Sequence, residues 1–179
     1  LEYMALRKMR QRFGVLFQGS ALFDSLNTFE NIAFPLRYFT EMEEEEIGDK
    51  VEQALEMVNL VGTGPKSPAE LSGGMRRRVA LARATILQPD FLIYDEPTSG
   101  LDPQTSEEIN RLIISMAENL KITSIVVTHD IHSVLEIATK IAFLKDQELC
   151  WYGTVEEMRN SENKDLMNFI TASEYQIRN

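Results

Sequence analysis

Four places in this chain combine residue types and spacing that could handle a phosphorylated ligand. Ser72-Gly73-Gly74 stands at the head of Leu71-Ser-Gly-Gly-Met-Arg-Arg-Arg-Val-Ala-Leu-Ala-Arg83, where Met75, Val79, Ala82 and Ile86 share one helical face. A helix starting there leaves backbone N–H groups without intrahelical acceptors at the positive end of its dipole, a natural place for a phosphate. Phe91-Leu-Ile-Tyr94 is an apolar run of strand length that stops at Asp95-Glu96-Pro97. Of two carboxylates at the C-terminal end of a parallel strand, one can hold a metal and the other can orient or deprotonate a water. Ser124-Ile-Val-Val-Thr128 similarly stops at His129, a candidate polariser. Phe13-Gly-Val-Leu-Phe17 stops at Gln18, whose amide could reach a metal or a water. A lone strand-end glutamine or histidine is more often structural than catalytic. Several such ends at one edge of a parallel sheet converge on one crevice, and together they could hydrolyse a nucleotide.

A parallel α/β sheet is needed to assemble these ends, and the chain alternates strands with helices as such a sheet requires. Arg7, Lys8, Arg10 and Arg12 alternate with Leu6 and Met9 at the end of a helix over residues 1–12. Leu22, Phe23, Leu26, Phe29, Ile32, Phe34, Leu36, Tyr38 and Phe39 then form an aromatic-rich stretch without strand alternation, either core or a docking surface. Within it Asn27-Thr28 offers a helix cap, with Glu30 and Asn31 in the first turn. Thr40-Glu-Met-Glu43 reads as a capping box before a helix with inner face Ile47, Val51, Leu55 and Val58. The five glutamates from Glu41 to Glu46 read as a solvated helix start, where the dipole favours negative charge. Asp102 with Pro103 caps another helix, whose stripe is Ile109, Leu112, Ile113, Met116 and Leu120. The strands ending at Asp95 and Thr128 read as buried, Asp130 as the next cap, and 141–144 with 149–152 as an edge hairpin around Asp146-Gln147. Thr154-Val-Glu-Glu157 is a further capping box, with helix continuing towards Asn179.

The 179 residues suit one domain, or one with a subdomain, and 44% hydrophobic content supports a core. A net charge of −10 argues against nucleic acid as the main partner. The single Cys150 excludes an internal disulfide framework and fits a reducing compartment. No apolar run approaches the ~20 residues that span a bilayer, so a soluble chain with membrane contact only through a partner is expected. No signal-peptide pattern opens the chain, and a start at Leu1 rather than Met is the expectation for a fragment.

These motifs, in this order, resemble the ATP-binding subunit of an ABC transporter over about residues 6–157. Phe17-Gln18 resembles the family's Q-loop, Leu71-Ser-Gly-Gly-Met75 its signature motif, and Phe91 to Asp95 with Glu96 its Walker B strand. Ser99-Gly-Leu-Asp102 resembles the D-loop and Thr128-His129 the switch histidine. The resemblance implies a P-loop NTPase (RecA-like) α/β fold with a mostly parallel sheet and a helical subdomain. Residues 1–19 and 86–153 would form the partial core, 20–85 the helical subdomain and 154–179 a helical tail. It implies ATP and Mg²⁺ as cofactors. Asp95 would hold Mg²⁺ through water, Glu96 would activate the attacking water and His129 would contact the γ-phosphate. Gln18 would link the metal site to the transporter interface. Ser72, Gly73 and Gly74, with Asp102, would serve ATP bound by the other subunit of a homodimer. The expected partner is a transmembrane permease, and the location is cytoplasmic, peripheral on the inner membrane. A soluble ABC-type ATPase of DNA repair or translation is the alternative, disfavoured by the charge. Two departures stand out. Met75 replaces the Gln of most relatives and, with residues 19–26 and 27–35, makes the chain most similar to Mla/Mce-type lipid-transport ATPases. No G-x-x-x-x-G-K-[ST] occurs, since none of the nine glycines precedes a lysine. The phosphate loop is expected upstream of Leu1, and these residues alone are not expected to form a complete ATP site.

Overall fold

The computed structural model describes residues 3–177, so helical expectations for the four terminal residues lie outside it. The chain divides into two compact units, Leu1–Val127 and Thr128–Asn179. In the first, helix α1 (Tyr3–Gln11) leads into strand β1 (Phe13–Leu16), and no strand intervenes before β2 (Phe91–Asp95) among the described residues. Between them lie α2 (Thr28–Phe39), α3 (Glu44–Met57), a 3-10 turn at Pro68–Glu70 and α4 (Gly73–Thr85). Helix α5 (Pro103–Leu120) and strand β3 (Thr123–Val127) complete the unit. The three strands are parallel in the order β1-β2-β3, with Gly14 opposite Leu92 and Asp95 opposite Val127.

One face of this sheet carries Gly14, Leu16, Leu92 and Tyr94, all buried. Helix α4 approaches β1 so closely that a Cβ on Gly14 would lie 2.3 Å from the Ala84 carbonyl oxygen. The helical layer closes around Ile32, Leu36, Ile47, Val51, Leu55, Val58 and Val79, all essentially solvent-free. Each such aliphatic side chain contributes about 1.5–3 kcal/mol over its exposed state. The opposite sheet face does not match the sequence expectation. Ile125 and Val127 of β3 are 50% and 54% exposed, and Phe13 is also exposed, stacked on Phe91 at 5.1 Å. β3 is an edge strand covered on one face, so an apolar run that suited double burial is half open here.

One local reading also changes. Thr40 does not open α3 with a capping box. Its hydroxyl donates to the Leu36 carbonyl at 2.7 Å, closing α2, and α3 starts after Glu43 with no side-chain cap bond. Back-bonding to the preceding turn has captured the hydroxyl that the expected cap required. The Asn27 cap forms as expected, accepting from the Glu30 N–H at 2.8 Å.

In the second unit, Asp130 caps α6 (Ile131–Ile137) by accepting from the His132 N–H at 3.0 Å. Strands β4 (Ile141–Lys145) and β5 (Glu148–Gly153) pair antiparallel around Asp146-Gln147, both with positive φ as a two-residue hairpin turn requires. This hairpin forms its own two-stranded sheet instead of extending the parallel one. The Thr154–Glu157 capping box is present at the head of α7 (Val155–Arg159), and α8 (Lys164–Ile177) follows. Phe143 packs on Phe169 at 5.5 Å, tying the hairpin to α8.

Candidate functional site

Strand β2 delivers Asp95 at its C-terminal end, half-buried and paired in register with Val127. Burial keeps the preceding Tyr94 phenol neutral, pushing it up to about 12. Glu96 then leaves the strand in the left-handed region, at φ +48°. A non-glycine residue there stores strain, and such strain collects at functional sites. Its N–H donates to the Val127 carbonyl at 2.9 Å and its carbonyl accepts from the Ser99 N–H at 3.3 Å. Both bonds hold the turn that aims Glu96.

The signature segment and the loop after Pro97 meet in the same unit. Ser72 is the N-cap of α4, its Oγ accepting from the Met75 N–H at 3.2 Å. Gly73 and Gly74 are the first two helical residues, where N–H groups have no acceptor within the helix. Asp102 is the N-cap of α5, accepting from the Thr105 N–H at 3.0 Å and from its hydroxyl at 2.6 Å. The Thr105 hydroxyl, then its N–H, hold the exposed Asp102 carboxyl below its ordinary range, so it is ionised at neutral pH. Helices α4 and α5 touch at these ends. A Cβ on Gly74 would lie 2.5 Å from Thr105 Cγ2, and one on Gly73 3.4 Å from Leu101 Cδ2. The glycine at position 74 is therefore demanded by packing within the chain. Two helix N-termini brought together in this way suit a phosphorylated ligand.

Gln18 follows β1 and is exposed. Gly19, Ser20 and Ala21 after it are all left-handed, at φ +76°, +73° and +45°. Two residues from α4 brace this run. Arg77 Nη1 donates to the Phe17 carbonyl at 3.1 Å and Arg83 Nη2 to the Ser20 carbonyl at 2.9 Å. The same Arg77 donates Nη2 to the Ser99 carbonyl at 3.3 Å. Sequence reasoning missed Arg77 because three arginines stand in a row. The clue was its phase, since Gly74, Arg77 and Leu81 lie at i, i+3 and i+7 on one buried face. In the second unit His129 is exposed at the end preceding α6, and the Thr128 hydroxyl accepts from the Asp130 N–H at 3.0 Å. Seven of the eight sequence-derived site residues thus lie in the first unit, and His129 lies in the second.

Beyond Gln18, buried Asn31 organises the loop. Its Oδ1 accepts from the Phe23 N–H at 2.8 Å, and its amide donates to the carbonyls of Phe23, Leu26 and Asn27. Phe23 is 44% exposed, Phe34 42% and Tyr38 51%, with centroids 5.0 Å apart for the first pair and 6.2 Å for the second. Leu22 and Phe29 are half-buried. Arg83 lies over Phe23 at 5.7 Å and Arg7 over Tyr38 at 5.2 Å. Among the described residues no helix is long and apolar enough to cross a membrane.

A parallel three-stranded sheet with carboxylates at the end of β2, together with helices capped by Ser72 and Asp102, defines an α/β protein. The chain belongs to the ABC transporter family, whose model its residues 2–99 match. It is 44% identical over 165 residues to the intermembrane phospholipid transport system ATP-binding protein MlaF of Haemophilus influenzae, covering 92% of this chain and 62% of that protein. It is 39% identical over 165 residues to a probable ribonucleotide transport ATP-binding protein, mkl, of Mycobacterium leprae, covering 92% and 48%. The dimeric post-hydrolysis ATP-binding cassette MJ0796 bound to ADP and Pi superposes with a TM-score of 0.76 at 33% identity, covering 87% of this chain and 68% of that one. The chain thus spans about half to three-fifths of the length of these curated relatives.

Proposed function

We propose that these residues belong to an ATP-binding and ATP-hydrolysing subunit that powers an ABC transporter, paired with a second such subunit and docked on a transmembrane permease. The observation that carries this reading is the contact of α4 with α5 at Gly74 and Thr105, which sets the Ser72 and Asp102 caps side by side. Ser72, Gly73 and Gly74 offer donors to the γ-phosphate of ATP held by the partner subunit, and Asp102 acts across the same interface. Asp95 and the Gln18 amide are hard oxygen donors that suit Mg²⁺. Glu96 orients or deprotonates the attacking water, and His129 contacts the γ-phosphate. Bound Mg²⁺ supplies charge neutralisation for phosphoryl transfer, while these residues supply position. Residues 1–19 and 86–153 act as the ATPase core, 20–85 as the helical subdomain and 154–179 as a tail.

The exposed Phe23–Phe34–Tyr38 row, whose first member follows shortly after Gln18 in sequence, receives a cytoplasmic segment of the permease and places the subunit on the inner face of the inner membrane. Met75 and the higher identity to the phospholipid-transport relative favour a lipid as cargo. MgATP turnover by the full-length subunit, alone and with its permease in lipid nanodiscs, tests this reading. Turnover that rises when the permease is present is expected, with a further response to phospholipid. Turnover indifferent to the permease would contradict the transporter reading.

A further inference from the structure

Arg77 is 4% exposed, in the second turn of α4. Its two contacts are neutral carbonyls, Phe17 at 3.1 Å and Ser99 at 3.3 Å, and Nε has no acceptor. Among the described residues no carboxylate pairs with it, and burial alone lowers its pKa. A guanidinium buried without a counter-ion costs stability, and an apolar side chain of similar volume would pack as well or better. Stability does not explain this arginine. Its acceptors do. Phe17 directly precedes Gln18, and Ser99 opens the loop that ends at Asp102, while Arg77 itself rides on the helix that Ser72 caps.

We propose that Arg77 is a positioning residue that couples the Gln18 loop to the Ser99–Asp102 loop, so that a shift in either moves the other with α4. This rests on the roles given above to Gln18, Ser72 and Asp102. The run Gly19-Ser20-Ala21, with three successive positive φ values, is strained and needs external restraint. Arg77 supplies it on one side of Gln18 and Arg83 on the other, at the Ser20 carbonyl. Arg83 bonds the Ser20 carbonyl and the Asn31 side chain and lies over Phe23, so among the described residues the bridge is particular to Arg77. A planar fork can hold two carbonyls at once, whereas a lysine places all its donors on one nitrogen.

Arg77→Lys and Arg77→Gln in the full-length subunit, assembled with its permease, test the coupling. Each is expected to melt within a few degrees of wild type and to keep KM for MgATP within about twofold. The permease-stimulated kcat is expected to fall about tenfold, the rate equivalent of one lost charge-assisted hydrogen bond. Arg83→Lys, which retains a donor for the Ser20 carbonyl, should lose less than threefold. A stimulated kcat within twofold of wild type in both Arg77 variants would overturn the proposal. So would a loss of rate fully matched by loss of folded protein, including failure to fold, since Arg77 would then be a core residue. A wild-type subunit that the permease does not stimulate would bring down the transporter reading first, and this proposal with it.

Discussion

Glu96→Gln in the full-length subunit is expected to retain MgATP binding and to lose roughly 10²–10⁴-fold in turnover, the usual worth of a positioned general base. The amide keeps the size and hydrogen-bonding reach of the side chain but cannot take a proton from water. The backbone that aims it should survive, because the bonds to Val127 and Ser99 involve main-chain atoms alone. The +48° φ at Glu96 is equally open to glutamine at the same cost. A single-turnover measurement separates chemistry from binding, and wild-type rates in the variant would refute the assigned role.

Phe23→Ala is expected to weaken association of the subunit with its permease by ~2 kcal/mol or more, about thirtyfold, as loss of an aromatic anchor does. Phe23 is nearly half exposed, so its removal should leave the melting temperature and the permease-free ATPase close to wild type. A core phenylalanine would behave differently, costing ~3–5 kcal/mol of stability with or without a permease. Phe34→Ala should act in the same direction, since the two rings touch. Co-purification of both variants at wild-type levels, or early melting of either, would count against this surface as the dock.

Much of this arrangement is legible in the sequence because local chemistry and global fold agree at the relevant points. Asn27, Asp102, Asp130 and Thr154 announce their helices, and each accepts the backbone N–H that a cap should accept. The Asp95-Glu96 strand end and the Ser72 helix start are readable for the same reason: polarity changes abruptly where an element ends. Thr40 misleads because a hydroxyl can bond backwards as well as forwards, and only packing decides which. The open face of β3 is not readable at all, since a Val/Ile run reports what a strand could bury and not what covers it. Arg77 and Asn31 escape for a different reason. Both are polar residues turned inward to hold loops by their carbonyls, and a composition-based reading assigns such side chains to solvent.

In the proposed assembly, Ser72, Gly74 and Asp102 complete an ATP site on a second copy of the subunit. Solution mass of full-length Glu96→Gln, measured with and without MgATP, tests this most directly, because the variant should hold nucleotide without consuming it. A shift from one subunit to two on adding MgATP, with two nucleotides retained per dimer and the shift lost in Ser72→Arg, is the predicted result. Tight MgATP binding by a particle that stays at the mass of one subunit would contradict the claim.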